Sequence, residues 1–125
     1  MHLQIIPGSF AVCRLAEDAL LRATGDFWFL SRTDEELSLV CRSESVPESA
    51  QRTEDGWRMF RVCGALDFSL TGVLAELSRV LAEARISIFA VSTYDTDYIL
   101  VKADQFARAT AALRASGHTF KGELL

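Results

Sequence analysis

Two short polar segments carry the residues best suited to hold a charged small molecule. The first surrounds Thr71 and Gly72, where the apolar period of a helix begins; the second is an Asp- and Thr-rich turn containing Asp95 and Asp97. A helix start presents backbone N–H groups without intrahelical partners, and its dipole favours an anion such as a carboxylate. Gly72 has no Cβ and lets a ligand approach that backbone closely. Asp67, Asp95 or Asp97 suits an ammonium group through a charge-assisted hydrogen bond, and Phe68, Leu70 and Tyr94 suit the apolar lining of a small pocket. Together these groups suit the acid and ammonium ends of a free amino acid, and on pattern alone they read equally as a helix cap and a solvated turn. Nothing equivalent matches catalysis: no nucleophile and base share a recognisable motif, and His2 and His118 stand near the chain ends, outside these loops.

Composition narrows the classes further. Residues 1–56 carry five Arg against ten Asp and Glu, and residues 57–125 carry eight basic residues against seven acidic, so neither half offers a basic stripe for nucleic acid. No apolar run approaches the ~18 residues of a membrane span, and Met1 is followed by no signal-peptide pattern, which makes a cytoplasmic protein the expectation. Cys13, Cys41 and Cys63 are odd in number, widely spaced and set in apolar strand patterns, which reads as three buried thiols rather than a metal site. No cofactor is implied. The chain contains no Asn, which removes glycosylation sequons and the Arg and Asn pair that acylphosphatase-like enzymes place on a similar small layered fold.

The elements that must position these segments can be read from periodicity. Residues 2–6 and 10–15 form two apolar runs around Pro7-Gly8-Ser9, a hairpin pattern, and residues 16–23 form a weak helix pattern. Residues 27–33 and 37–42 read as strands, the first buried on both faces because Phe27, Trp28, Phe29 and Leu30 stand in a row. Ser45-Val46-Pro47-Glu48 fits a capping box opening a short helix, and Glu54-Asp55-Gly56 marks a boundary between unit 1–56 and unit 57–125. In the second unit a strand over 57–64 precedes a helix in which Leu70, Val73, Leu74, Leu77, Val80, Leu81 and Ala84 recur with a period of ~3.6. Two apolar strands follow, over 86–93 and 98–101, joined by the turn at Asp95-Thr96. A second helix over 105–116 takes Asp104 as its cap and Gly117 as its C′ residue, and residues 118–125 hold a closing strand at best. This order is βαββαβ, the ferredoxin-like α+β arrangement of an antiparallel sheet with both helices on one face. The N-terminal half reads ββαββα, a degenerate repeat of the same unit. Strands apolar on both sides require cover on the second sheet face, from the N-terminal half or a second copy of the chain.

Three strings in the C-terminal half carry a family likeness: Leu66-Asp67-Phe68-Ser69-Leu70-Thr71-Gly72-Val73-Leu74, Leu81-Ala82-Glu83-Ala84-Arg85-Ile86-Ser87-Ile88-Phe89-Ala90, and Ser92-Thr93-Tyr94-Asp95-Thr96-Asp97-Tyr98-Ile99-Leu100-Val101. They resemble the ACT domain, a small-molecule-binding regulatory module, and in particular the tandem ACT proteins related to CASTOR-type arginine sensors. The resemblance implies two ACT-like units in one chain, amino-acid binding without catalysis, and side-by-side assembly, here as a homodimer. By position it implies a ligand site at Asp67, Phe68, Ser69, Leu70, Thr71, Gly72 and Val73, with Thr93, Tyr94, Asp95, Thr96 and Asp97 facing or flanking it. The rival expectation is an ACT fold without a ligand, serving only to dimerise or to hold a partner protein.

Overall fold

The computed structural model describes residues 1–19, 25–64 and 72–122. Its elements in chain order are β1 (His2–Leu15), β2 (Trp28–Arg32), β3 (Leu37–Arg42), β4 (Arg52–Val62), α1 (Val73–Glu83), β5 (Phe89–Ser92), β6 (Asp97–Lys102), α2 (Phe106–Ala115) and β7 (Thr119–Lys121). The chain divides into two compact units, Met1–Pro7 with Arg58–Leu125, and Gly8–Trp57. The first seven residues therefore belong with the C-terminal unit.

In the C-terminal unit the strand order is β7-β1-β4-β6-β5. β5 and β6 form an antiparallel hairpin, whereas β7 runs parallel to β1. The parallel pair departs from the expected all-antiparallel sheet because β1 stands between β7 and β4, so the last strand neighbours β1 instead of β4. Strand alternation sends Leu3, Ile5, Phe60, Val62, Ile99 and Val101 to one face, where they pack on Leu77, Val80 and Leu81 of α1 and Phe106, Ala109 and Leu113 of α2. Both helices thus share one sheet face, as the periodicity predicts. Ile6, Met59 and Leu100 alternate to the other face and are still 3%, 0% and 0% exposed, so a single chain already keeps these positions dry.

Both helices end in Schellman motifs. In α2, Gly117 N–H donates to Arg114 C=O and His118 N–H to Leu113 C=O, at 3.0 Å each, with Gly117 at φ +93°, as its C′ assignment requires. In α1 the same bonds run from Arg85 to Ala82 and from Ile86 to Leu81, at 2.9 Å each. Asp104 is not a helix cap: it sits in a 3-10 turn, Ala103–Gln105, and α2 begins one residue later with no side-chain cap.

In the N-terminal unit the order is β2-β3-β1-β4. β3 pairs antiparallel with both β1 and β2. A second core gathers Ala11, Cys13, Leu15, Leu37, Leu39 and Cys41, with Ala19, Val46 and Ala50 packed on it. Burial, aided by the neighbouring Cys13, pushes the Cys41 thiol up to about 12, so it is protonated and inert near neutrality.

Several local expectations for this half are corrected. Residues 2–6 and 10–15 do not fold on each other; β1 runs through Pro7-Gly8-Ser9, with residues 2–4 paired to β7 and 10–15 paired to β3. Of the weak helix over 16–23, residues 16–19 form a turn closed by Ala19 N–H to Ala16 C=O at 3.0 Å, and the remainder lies outside the described residues. The Ser45 capping box opens no helix, because the chain turns at 47–50 and enters β4 at Arg52, leaving too few residues for one. Glu54-Asp55-Gly56 lies inside β4 rather than ending an element. β2 is not buried on both faces: Trp28 and Leu30, two residues apart and so on one face, are 44% and 43% exposed.

One frame occurs in both units. β2 and β3 are joined by residues 33–36, with Thr33 N–H donating to Glu36 C=O at 2.9 Å; β5 and β6 are joined by residues 93–96, with Thr93 N–H donating to Thr96 C=O at 2.9 Å. β3 and β6 are each six residues long and each leads into a three-residue 3-10 turn. Their last residues, Arg42 (φ −62°, ψ 147°) and Lys102 (φ −62°, ψ 143°), have nearly the same backbone angles.

Candidate functional site

The β5–β6 turn is held by short polar bonds. Thr93 Oγ1 donates to Thr96 C=O at 3.1 Å, and Ser92 Oγ donates to Asp97 Oδ1 at 2.6 Å across the last rung of the hairpin. Thr96 points inward at 8% exposure and donates through its hydroxyl to Val62 C=O at 2.9 Å. That bond ties the turn to the end of β4, where Cys63 N–H in turn donates to His2 C=O at 2.9 Å.

The junction leaves a cleft of about 260 Å3 whose polar lining comes from Gln4, Arg61, Cys63, Asp95, Tyr98 and Lys121, with Val62, Gly64 and Thr96 completing the wall. Arg61 is the organised group. Its Nε and Nη2 donate to Gln4 Oε1 at 3.2 and 3.1 Å, its Nη1 donates to Tyr98 Oη at 3.4 Å, and the guanidinium carbon lies 5.9 Å from the Tyr98 ring centre. Gln4 and Tyr98 are neutral groups, and between them they orient the guanidinium. Asp95 and Lys121 make no ion pair with any described residue. The cleft therefore presents cations and a carboxylate within one small volume, a pattern complementary to a molecule bearing both an acid and an ammonium group. Among the described residues no group of three or more His, Cys, Asp or Glu is placed to hold a metal ion. Nor is any helix there long and apolar enough to cross a membrane.

Of the residues the sequence singles out, Asp95 and Thr96 line this cleft. Thr93 and Asp97 serve the hairpin itself. Tyr94 is 80% exposed and is not among the residues lining this cleft. Gly72 is exposed, adopts the left-handed region at φ +83° and precedes α1, with Val73 as the first helical residue; neither belongs to the cleft. Asp67, Phe68, Ser69, Leu70 and Thr71 lie outside the described residues. The lining residues that sequence reasoning missed are Gln4, Arg61, Cys63, Tyr98 and Lys121. One signal was available for Arg61, an arginine inside the otherwise apolar run Met59-Phe60-Arg61-Val62, since a charge on such a strand needs polar partners.

A family model described as the ACT domain matches residues 52–115. The chain belongs to the ACT domain family. A second model, of an N-terminal domain, matches residues 8–49. Among solved structures, a protein of Agrobacterium tumefaciens is 33% identical, with 98% of this chain and 92% of that chain covered and a TM-score of 0.88. A Vibrio cholerae protein of unknown function, described as a possible transport protein, is 21% identical over 91% of this chain and 88% of its own, with a TM-score of 0.68. Aspartate kinase of Clostridium acetobutylicum, an allosteric enzyme, is 13% identical with a TM-score of 0.63, over 91% of this chain and 33% of the kinase. For the last two the likeness is one of fold. No curated protein matches. ACT domains are typically small-molecule-binding regulatory domains, and the α+β sheet with its paired helices fits that family.

Proposed function

We propose that this ACT domain protein is a non-catalytic sensor that binds an amino acid in the cleft at Arg61, and that binding biases an interaction with another copy or a partner protein. The observation that carries the reading is the gathering of Arg61, Lys121 and Asp95 in one cleft. The ligand carboxylate is assigned to the Arg61 and Lys121 side and its ammonium to Asp95. The helix start at Gly72, which is exposed, remains a second contact point for a carboxylate in this reading. The repeated hairpin frame supports two ACT-like units in tandem and, with them, the kinship to CASTOR-type proteins. A ligand shifts assembly only by its preference for one state, here on the order of 1–3 kcal/mol. A ligand-free assembly module is the competing reading, which a cleft filled by Phe68 or Tyr94 would favour; Tyr94 is exposed, and Phe68 lies outside the described residues.

The test is a thermal-shift and calorimetric screen of the common amino acids. At least one stabilises the protein, and Asp95→Asn weakens its binding by roughly ten-fold through loss of the ammonium's counter-charge. A flat response to every amino acid at millimolar concentration sinks the proposal.

A further inference from the structure

The N-terminal unit has a cleft of its own, of about 270 Å3, lined chiefly by Arg14, Glu36, Ser38, Arg52, Thr53 and Glu54, with Val12 and Cys13. Its place within its unit repeats that of the cleft at Arg61. Glu36 and Ser38 are the fourth turn residue and the second strand residue of the β2–β3 hairpin; Thr96 and Tyr98 hold the same two places in the β5–β6 hairpin, and all four line their clefts. Each cleft also takes in a place where β1 and β4 meet. In the C-terminal unit Cys63 N–H donates to His2 C=O, and in the N-terminal unit Gln51 N–H donates to Arg14 C=O at 2.8 Å. Counting two residues back from Cys63 and from Arg14, which carry these bonds, gives Arg61 in one unit and Val12 in the other.

The frame is shared and the chemistry differs. The guanidinium that organises the first cleft is replaced by an apolar side chain, and the charged groups become two arginines against two glutamates. Arg14 is engaged locally, donating to Glu35 C=O at 3.3 Å and lying 3.9 Å from the Glu36 carboxylate. Thr53 Oγ1 donates to Cys13 Sγ at 3.9 Å. The Arg52 side chain, at the start of β4, makes no hydrogen bond or ion pair with any described residue. A cation available for a carboxylate, a half-buried glutamate for an ammonium and Val12 for a short apolar side chain fit a small neutral zwitterion.

We propose that the N-terminal cleft is a second binding site, distinct from the one at Arg61, which takes a small neutral amino acid with its carboxylate on Arg52 and its ammonium on Glu36. The inference rests on the sensor reading only in expecting amino-acid ligands. L-Alanine is the probe, titrated into the full isotope-labelled chain while backbone amide resonances are followed. The expected result is movement of the amides of residues 12–14, 36–38 and 52–54, with Arg52→Glu weakening L-alanine at those positions roughly ten-fold. Asp95→Asn leaves these shifts unchanged. The proposal is overturned if L-alanine moves none of these amides, if the movement gathers at 61–64 and 95–98 instead, or if Arg52→Glu, shown folded by circular dichroism, leaves the affinity within two-fold. Movement at 52–54 together with no amino acid acting on the Arg61 cleft separates the two readings, keeping this site and removing the other.

Discussion

Arg85 shows how a single residue can carry a strain that its element needs. It is the C′ residue of α1 and sits at φ +59°, the one non-glycine residue with positive φ among those described. The left-handed conformation costs an L-residue about 1 kcal/mol or more and is usually assigned to Gly, but the two Schellman bonds to Leu81 and Ala82 depend on it. A long unbranched side chain tolerates this conformation better than a β-branched one. Arg85→Val is therefore expected to lower unfolding stability by about 1–2 kcal/mol, whereas Arg85→Gly leaves it unchanged or raises it slightly. Urea titrations of the two variants check the contrast, and equal losses in both would show that the backbone angle is not the cause. Arg61 is the counterpart in the candidate cleft: Gln4 and Tyr98 hold a charged group in place on a strand whose adjacent residues Phe60 and Val62 are apolar.

Among the elements, the β5–β6 hairpin links fold and site, because Thr96 belongs to both. Its hydroxyl is the bond from the turn to Val62 C=O, in a place where water does not reach. Thr96→Val keeps the shape but removes the donor, and a cost of about 1–3 kcal/mol is expected from a denaturant midpoint, with a weaker ligand response because the turn bearing Asp95 loses its anchor. An unchanged midpoint would mean that the turn is held by the hairpin alone. The elements legible in the sequence were those with a long apolar period or a strong stop signal: α1, the end of α2 at Gly117, and the β2–β3 and β5–β6 hairpins around their polar turns. Pro7-Gly8-Ser9 and Glu54-Asp55-Gly56 misled, since turn-forming residues also occur inside long strands and only the pairing partners decide between a bend and a reversal. The site was half legible for a related reason. Asp95 and Thr96 stand in a recognisable turn, whereas Gln4 and Lys121 come from strands far apart in sequence, and their meeting depends on β7 joining the sheet beside β1.

At the scale of the whole molecule, β7 and β1 bring the last and first described strands together, and His118 sits at that closure. It is 7% exposed, its N–H completes the α2 cap, and its Nδ1 lies 2.9 Å from the amino-terminal nitrogen, while Thr119 N–H donates to Met1 C=O at 2.9 Å. Burial, with a smaller push from the amino-terminal ammonium, holds the His118 pKa below its ordinary value of 6.5. The folded protein thus keeps this imidazole neutral at a pH where the unfolded chain has already bound a proton. Unfolding then takes up a proton between the unfolded pKa, ~6.5, and the lower folded one, so the contribution to stability is complete above ~6.5 and is lost as pH falls through that window. Asp26, whose carboxyl is held below its ordinary 3.8 by its hydrogen bond to Arg42, acts with the same sign but only at lower pH, below the ordinary carboxylate range. Thermal unfolding midpoints measured from pH 8 down to pH 5 should therefore begin to fall near neutrality in the native sequence, and His118→Gln should flatten that part of the curve while leaving the steeper decline at acid pH. Parallel curves for the two proteins would show that the imidazole is not the group whose protonation loosens the closure.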